Sequence, residues 1–237
     1  MIPPGFSVTL VQPNYPVNVG HVARLVKNFG VRRLYLIDPK FDMSVATVYA
    51  AHASDVLSEA KVVSFEQLRK RNQLLVATTA VKATRSTNVI RRSVAPERVS
   101  RYIRSTKTSS LVLGRDTTGL TNEEIRLCDI TTTIETGSNY RTLNVSHAAA
   151  IMLYLITKGD HMRSRTIQSR KIRDVFAESF YQLASVSGLP KHKVKNMREI
   201  GRQLAIKSEL ADRELALMAG VFRRAARSIS VQSASYT

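Results

Sequence analysis

Short apolar runs alternating with helix-patterned stretches through residues 1–156 constrain the fold of this chain more than any other feature. Phe6–Val11, Leu34–Ile37 and residues 74–79, 110–114 and 130–134 read as strands, and they are nearly continuous in Val, Leu, Ile and Thr. Between them, residues 19–29, 47–51, 65–70, Pro96–Arg104 and 145–156 carry helical patterning, with Gly30 as a stop, Pro96 as a start and Thr121-Asn122-Glu123-Glu124 as a capping box. Strands buried on both faces and separated by helices imply an α/β fold, a parallel sheet with helices on both faces.

Three polar stretches sit where such a sheet keeps its ligand, outside the carboxyl ends of its strands. They are Asn18-Val19-Gly20-His21-Val22-Ala23-Arg24, Gly114-Arg115-Asp116-Thr117-Thr118-Gly119-Leu120 and Tyr140-Arg141-Thr142-Leu143-Asn144-Val145-Ser146. None contains a metal-ligand cluster, a nucleophile beside a base, or the Gly-Lys-Ser/Thr ending of a phosphate loop, since Leu120-Thr121 stands in its place. The Gly-x-Gly-x-x-Gly fingerprint of dinucleotide folds is also absent. The chemistry is therefore assigned to a bound organic cofactor or to positioning, with no metal.

The chain carries 36 Lys and Arg against 18 Asp and Glu, a net charge of +18, which points to a polyanionic partner, nucleic acid before a membrane surface. The basic residues are spread over many elements instead of one amphipathic helix. Cys128 is the single cysteine and reads as a small buried hydrophobe in a reducing compartment. No apolar run reaches the roughly 20 residues of a membrane span, and the opening Met1-Ile2-Pro3-Pro4-Gly5 has no signal-peptide pattern. These features give the expectation of a cytoplasmic protein. His21 and His147 lie inside the motifs as core or cofactor-side residues; His52, His161 and His192 do not cluster with Cys or acids.

In order and spacing, the Asn-x-Gly-x-x-Ala-Arg, Gly-Arg-Asp-x-x-Gly-Leu-Thr-Asn-Glu-Glu and Leu-Asn-Val-Ser segments resemble the three signature motifs of the SPOUT superfamily of RNA methyltransferases, within it the TrmH and TrmJ branch. The resemblance covers about the first two-thirds of the chain. It implies a carboxyl-terminal trefoil knot, S-adenosylmethionine as methyl donor, a ribose 2′-hydroxyl as acceptor, and a homodimer with the site at the subunit interface. It places Thr78, Thr79, Ala80, Gly114, Ile134, Arg141, Thr142 and Leu143 at cofactor-contacting positions. Arg24 becomes the catalytic residue; because a guanidinium holds its proton so tightly, it either assists deprotonation with the substrate phosphate or stabilises the developing alkoxide. Asn18, Asn144 and Ser146 either cap their helices or stand with Arg24 at the catalytic centre. Gly20 either admits close packing of its helix on the sheet or serves the site. Arg85, Arg115 and Tyr140 are expected at the substrate, Arg85 within a basic loop of residues 82–88 followed by Arg91 and Arg92. The family usually has Glu where Asp116 stands, which leaves the role of Asp116 open between structure and substrate.

After Thr157 the strand signal ends. Ile172, Phe176, Phe180 and Leu183 fall at helical spacing, Gly188-Leu189-Pro190 interrupts it, and residues 210–222 resume it. Residues 157–237 hold 16 basic against 7 acidic residues, about twice the charge density of the preceding part. The expected organisation is a methyltransferase domain at 1–157 and a basic helical RNA-binding extension at 158–237, disordered from Ser228. The expected substrate is tRNA, at nucleotide 32 of the anticodon loop; the alternatives are ribosomal RNA, or a non-catalytic RNA-binding or ribosome-assembly factor on the same fold.

Overall fold

The computed structural model describes residues 2–80, 93–137, 140–159, 167–208 and 210–234, with the side chains of 232–234 left aside. Arg85 and its basic loop, Arg91, Arg92 and His161 lie outside these residues. The chain forms two compact units, Met1–Arg165 and Thr166–Thr237.

The first unit is built on a wholly parallel sheet of seven strands: β1 (Phe6–Val11), β2 (Leu34–Ile37), β3 (Lys61–Val62), β4 (Leu74–Thr78), β5 (Ser93–Val94), β6 (Ser109–Leu113) and β7 (Ile130–Thr132). Their order across the sheet is β3-β2-β1-β6-β4-β7-β5. The central strands are buried along their length, which explains the unbroken apolar runs. Where hydroxyls enter this core they are bonded: Ser7 Oγ donates to the Ser109 carbonyl at 3.1 Å, and Thr9 Oγ1 and Ser110 Oγ share a bond of 2.7 Å. β3 and β5, at two residues each, are the edges; neither is long enough to show a period.

Helices α1 (Pro16–Asn28), α2 (Met43–Ala50), α3 (Ser54–Ser58), α4 (Phe65–Arg71), α5 (Pro96–Arg104), α6 (Asn122–Leu127) and α7 (Val145–Lys158) connect the strands. On one face, Leu68 of α4 and Ile125 of α6 close over Val11, Leu75, Ala77 and Val112, with Cys128 buried among them. Strand alternation sends Val8, Leu10, Val76 and Leu111 to the other face, and α7 there packs against both α1 and α5. Each such fully buried aliphatic side chain contributes roughly 1.5–3 kcal/mol.

Gly20 serves a helix contact different from the expected one. A β-carbon there would stand 2.5 Å from Tyr49 Cβ and 2.7 Å from the Ala46 carbonyl, so the glycine admits α2, not the sheet. α1 also starts earlier than its apolar pattern suggests, because Pro16 occupies its first turn and Tyr15 its N-cap. Asn18 therefore lies inside the helix and is not its cap.

The second unit consists of α8 (Arg170–Val186), α9 (Lys191–Val194), α10 (Met197–Lys207) and α11 (Asp212–Ala234). Phe176, Ala205 and Leu215 form its centre, with Phe180 and Phe222 each tilted against the other at 5.6 Å between centroids. The unit begins after Arg165, beyond the expected Thr157: α7 runs to Lys158, and Gly159 sits so close to Ser100 of α5 that a β-carbon would meet its Oγ at 2.0 Å. Where disorder is expected from Ser228, α11 continues through Ala234, the last of the described residues. Ala226 is buried, and Ser230 Oγ donates to the Ala226 carbonyl at 2.9 Å, which satisfies the hydroxyl within the helix.

Gly20→Ala should force α1 and α2 apart and cost about 1–3 kcal/mol, read as a lower urea midpoint by circular dichroism at unchanged slope; an unchanged midpoint would show that the contact yields.

Candidate active site

The carboxyl ends of β4, β6 and β7 open onto one cavity of about 300 Å³. Thr78 closes β4 and donates through Oγ1 to the Val112 carbonyl of β6 at 3.1 Å, while the Thr79 amide donates to the Thr132 carbonyl of β7 at 3.0 Å. The three strand ends thus form one rim. Thr78, Thr79, Ala80, Gly114, Ile134, Arg141, Thr142 and Leu143, the eight positions singled out for a cofactor, all line it. Leu113, Leu120 and Val145 add apolar wall; Asp116, Thr117 and Thr118 add polar groups. Such a mixture of apolar walls with a few fixed polar groups suits an organic ligand with a flat apolar part and polar edges.

The loop after β6 is held by its own backbone and by one arginine. A β-carbon on Gly114 would lie 2.2 Å from the Gly119 carbonyl carbon, so the loop folds back at a distance only glycine allows. Arg115 and Gly119 exchange backbone bonds of 3.2 and 3.1 Å. The Arg115 guanidinium grips Glu124 with two bonds of 2.8 and 2.9 Å, and reaches Gln12 Oε1 at 2.5 Å and the Gly119 carbonyl at 3.2 Å. Four of the five N–H donors of the Arg115 guanidinium are thus engaged within the protein, where they shape the loop, and the residue also lines the cavity. Burial pushes the Glu124 carboxyl up, but hydrogen bonds from Arg115 and the Thr121 amide outweigh it and leave the group below its ordinary range. The hydrogen bond to Glu124 raises the Arg115 guanidinium in turn.

Gln12 is a positioning residue that no sequence pattern marks. It follows β1 with φ of 44°, accepts from Arg115, and donates through Nε2 to Asp38 Oδ2 at 2.8 Å; Asp38, after β2, has φ of 46°. Two non-glycine residues in the left-handed region, joined to each other at adjacent strand ends, mark strain stored beside the cavity. The Asp38 carboxyl is held low by Lys40 and then by Gln12.

Three motifs meet through side chains. Asp116 accepts from Asn18 Nδ2 at 2.5 Å and from the amides of Asn14 and Tyr15 at 3.0 and 3.3 Å. Asn18, only 7% exposed, accepts from Asn144 Nδ2 at 2.9 Å. Asn144 is the N-cap of α7 and takes the Ser146 amide at 2.8 Å and hydroxyl at 2.7 Å. Asp116, Asn18, Asn144 and Ser146 thus form one chain of hydrogen bonds, and Asp116 has a structural part in it while also lining the cavity. The interactions observed for Asn18, Asn144 and Ser146 are likewise mutual.

Arg24 is exposed on α1, makes no hydrogen bond or ion pair with a described residue, and is not among the residues lining the cavity. Tyr140 is 80% exposed, and its carbonyl accepts from Thr136. His21 and His147 are exposed on α1 and α7, not core residues; His21 stands edge-on to Tyr49 at 6.4 Å. Among the described residues no three His, Cys, Asp or Glu side chains are grouped to hold a metal.

The model of the SpoU rRNA Methylase family matches residues 5–154, the segment that carries the sheet, the cavity and the hydrogen-bonded motifs. The chain belongs to this family. Among curated relatives, it is 29% identical over 226 residues to the tRNA (cytidine-2′-O-)-methyltransferase TrmJ of Methanocaldococcus jannaschii, covering 92% of this chain and 98% of that protein. It is 30% identical over 168 residues to the protein of the same name from Sulfolobus acidocaldarius, covering 70% and 71%. Among solved structures, TrmJ from Z. mobilis ZM4 superposes over 94% of this chain and 98% of that one with a TM-score of 0.67 at 21% identity, a likeness of fold. The SpoU family assignment thus rests on the first unit, while two of these matches extend through the helical one.

Asn18→Ala and Asn144→Ala should each destabilise by about 1–3 kcal/mol, and the pair together by less than the sum, with a coupling of about 0.5–3 kcal/mol in a double-mutant cycle; strict additivity would show the bond between them to be inert. Because the folded state holds the Glu124 carboxyl low, its contribution is fully present above the unfolded value and is lost as pH falls through the folded one. Glu124→Gln should therefore be less stable than wild type at pH 7 by about 1–3 kcal/mol. The gap should close below about pH 4, as chemical unfolding at several pH values would show.

Proposed function

We infer that this chain is an S-adenosylmethionine-dependent methyltransferase that modifies a ribose 2′-hydroxyl of tRNA. The observation that carries the reading is the single cavity at the strand ends, lined by all eight expected donor-contacting residues and tied by Asp116, Asn18 and Asn144 to the helix that bears Arg24. The residues fit the group: Gly114 keeps the cradle open to backbone contact, Thr78, Thr79 and Thr142 offer hydroxyls, and Ile134, Leu143 and Leu120 offer apolar wall for a purine. Bound there, S-adenosylmethionine supplies an electrophilic methyl carbon on a sulfonium. The protein then has to align the acceptor oxygen and stabilise the alkoxide, which needs a fixed cation and neither metal nor nucleophile. Arg24 is that cation. Asn18, about one and two-thirds turns before it on α1, fixes the register of the helix through Asp116 and Asn144.

Since Arg24 stands outside the lining of its own cavity, the reading includes a homodimer in which the site forms at the subunit interface; α1 and α7 pack together and present His21, Arg24 and Tyr154 to solvent. It also includes a trefoil knot with residues 140–144 as the tucked loop, supported by Arg141 and Thr142 lining the same cavity as residues 114–120. The first unit is the methyltransferase domain and the second the RNA-holding extension, working in the cytoplasm; no described helix is long and apolar enough to cross a membrane. The specific target we propose is nucleotide 32.

Arg24→Ala should leave S-adenosylmethionine affinity by calorimetry within about two-fold while single-turnover transfer falls by at least about 10²-fold. In the same assay, a tRNA carrying a 2′-deoxy target nucleotide should bind with modest loss and accept no methyl group. Methyl incorporation into the deoxy nucleotide would make a base atom the acceptor and overturn the ribose reading.

A further inference from the structure

A groove between α8 and α11 lies wholly within the helical unit and is built differently from the methyl-transfer cavity. It has a volume of about 620 Å³, and Val186, Ala226 and Val231 give it apolar walls. Tyr181 also lines it. The ring of Tyr181 is held from elsewhere by the Arg198 guanidinium, 4.4 Å from its centroid, and Arg198 is fixed in turn by Glu178 at 2.7 Å. Arg198 is not part of the groove lining, so the aromatic surface is oriented by a contact that does not fill the groove.

The charge in the groove has one sign. Arg223 and Arg227 line it and no acidic residue does. Both are exposed and neither makes a hydrogen bond or ion pair with a described residue. Arg223 also borders a neighbouring cleft with Asp174 and Glu178, but those carboxylates are engaged by Arg202 at 2.9 Å and Arg198 at 2.7 Å. Ser185 donates to the Tyr181 carbonyl, which leaves its oxygen as an acceptor at the rim, and Gln182 presents an exposed amide.

An oriented aromatic ring, two uncommitted guanidinium groups and an amide with both donor and acceptor are the complement of one unstacked nucleotide. Its base has a face for the ring and an edge for the amide, and its phosphates suit the arginines. A base-paired stem hides its base faces and could use only the cations.

We propose that this groove is a second RNA contact site, which takes an unpaired nucleotide of the substrate with its base against Tyr181 and its flanking phosphates on Arg223 and Arg227. The proposal rests on the reading of the protein as an RNA methyltransferase. It turns the helical unit from a general polyanion holder into one that grips single-stranded loop.

Fluorescence anisotropy with full-length protein and no methyl donor tests it, using a fluorescein-labelled single-stranded RNA decamer, the same decamer with abasic sites, and a duplex of equal length. The base-bearing strand should bind at least about five-fold more tightly than the abasic one, in line with one stacked base. The double variant Arg223→Gln/Arg227→Gln should weaken it about ten-fold and flatten the slope of log affinity against log salt by about 1.4, two phosphates' worth on a single strand. Tyr181→Leu should erase the preference for bases while keeping the salt slope. Circular dichroism and S-adenosylmethionine affinity should be unchanged in the arginine variant, whose substitutions are on the surface. Equal affinity for base-bearing and abasic strands, or wild-type binding by the arginine variant, would overturn the proposal. So would a change in its sedimentation mass, which would assign the groove to a second copy of the chain. Because no methyl transfer enters these readings, a protein that binds as expected but never methylates would sink the enzymatic reading and leave the groove standing.

Discussion

The Asp116 carboxylate is the point on which the arrangement of the site depends. Helix α1 begins at a tyrosine that cannot cap it, and the amides of Asn14 and Tyr15 are taken instead by an acid about a hundred residues away in the chain. Such charge-assisted bonds are stronger than neutral ones, and a negative charge at a helix amino end is favoured by the helix dipole. The same carboxylate holds Asn18, Asn18 holds Asn144, and Asn144 starts α7. One short acid thereby sets the relative positions of two helices and the glycine loop.

The alternating apolar runs made the parallel sheet legible because strands buried on both faces must be apolar throughout. β3 and β5 escaped because two residues carry no period, and α9 and α10 because their exposed faces dilute an already weak pattern. The cavity residues were readable through the resemblance of the motifs, not through propensity: nothing in Thr78-Thr79-Ala80 distinguishes a ligand contact from an ordinary strand end. Of the two roles open to Asn18, the earlier start of α1 removes the capping one, and its partner Asp116 becomes its neighbour only in the folded chain. The internal partners of Arg115 are hidden from the sequence for the same reason. An arginine in a glycine loop invites an anionic ligand, and the competing Glu124, nine residues later, satisfies it first through a capping box that was itself visible in the sequence.

Charge counts needed similar correction. The basic excess of the carboxyl-terminal part is real, yet Arg198 and Arg202 are occupied by Glu178 and Asp174. What is available to a partner is set by which arginines lack an acid within reach, and that property belongs to packing.

The register of the sheet has a consequence for how the protein is made. β1 lies at the middle of the sheet, and one of its two partners, β6, pairs Val8 with Leu111 and Leu10 with Leu113. At ribosomal rates of roughly 5–20 residues per second, the first strand must wait about five to twenty seconds for that neighbour to be synthesised. Through that interval only one backbone edge of β1 is paired, by β2, and the other stands open. The helical unit, whose contacts are closer in sequence, carries no comparable delay. The nascent chain is therefore most exposed to aggregation before its last third is made, and a chaperone acting on it would have its main work in that early window.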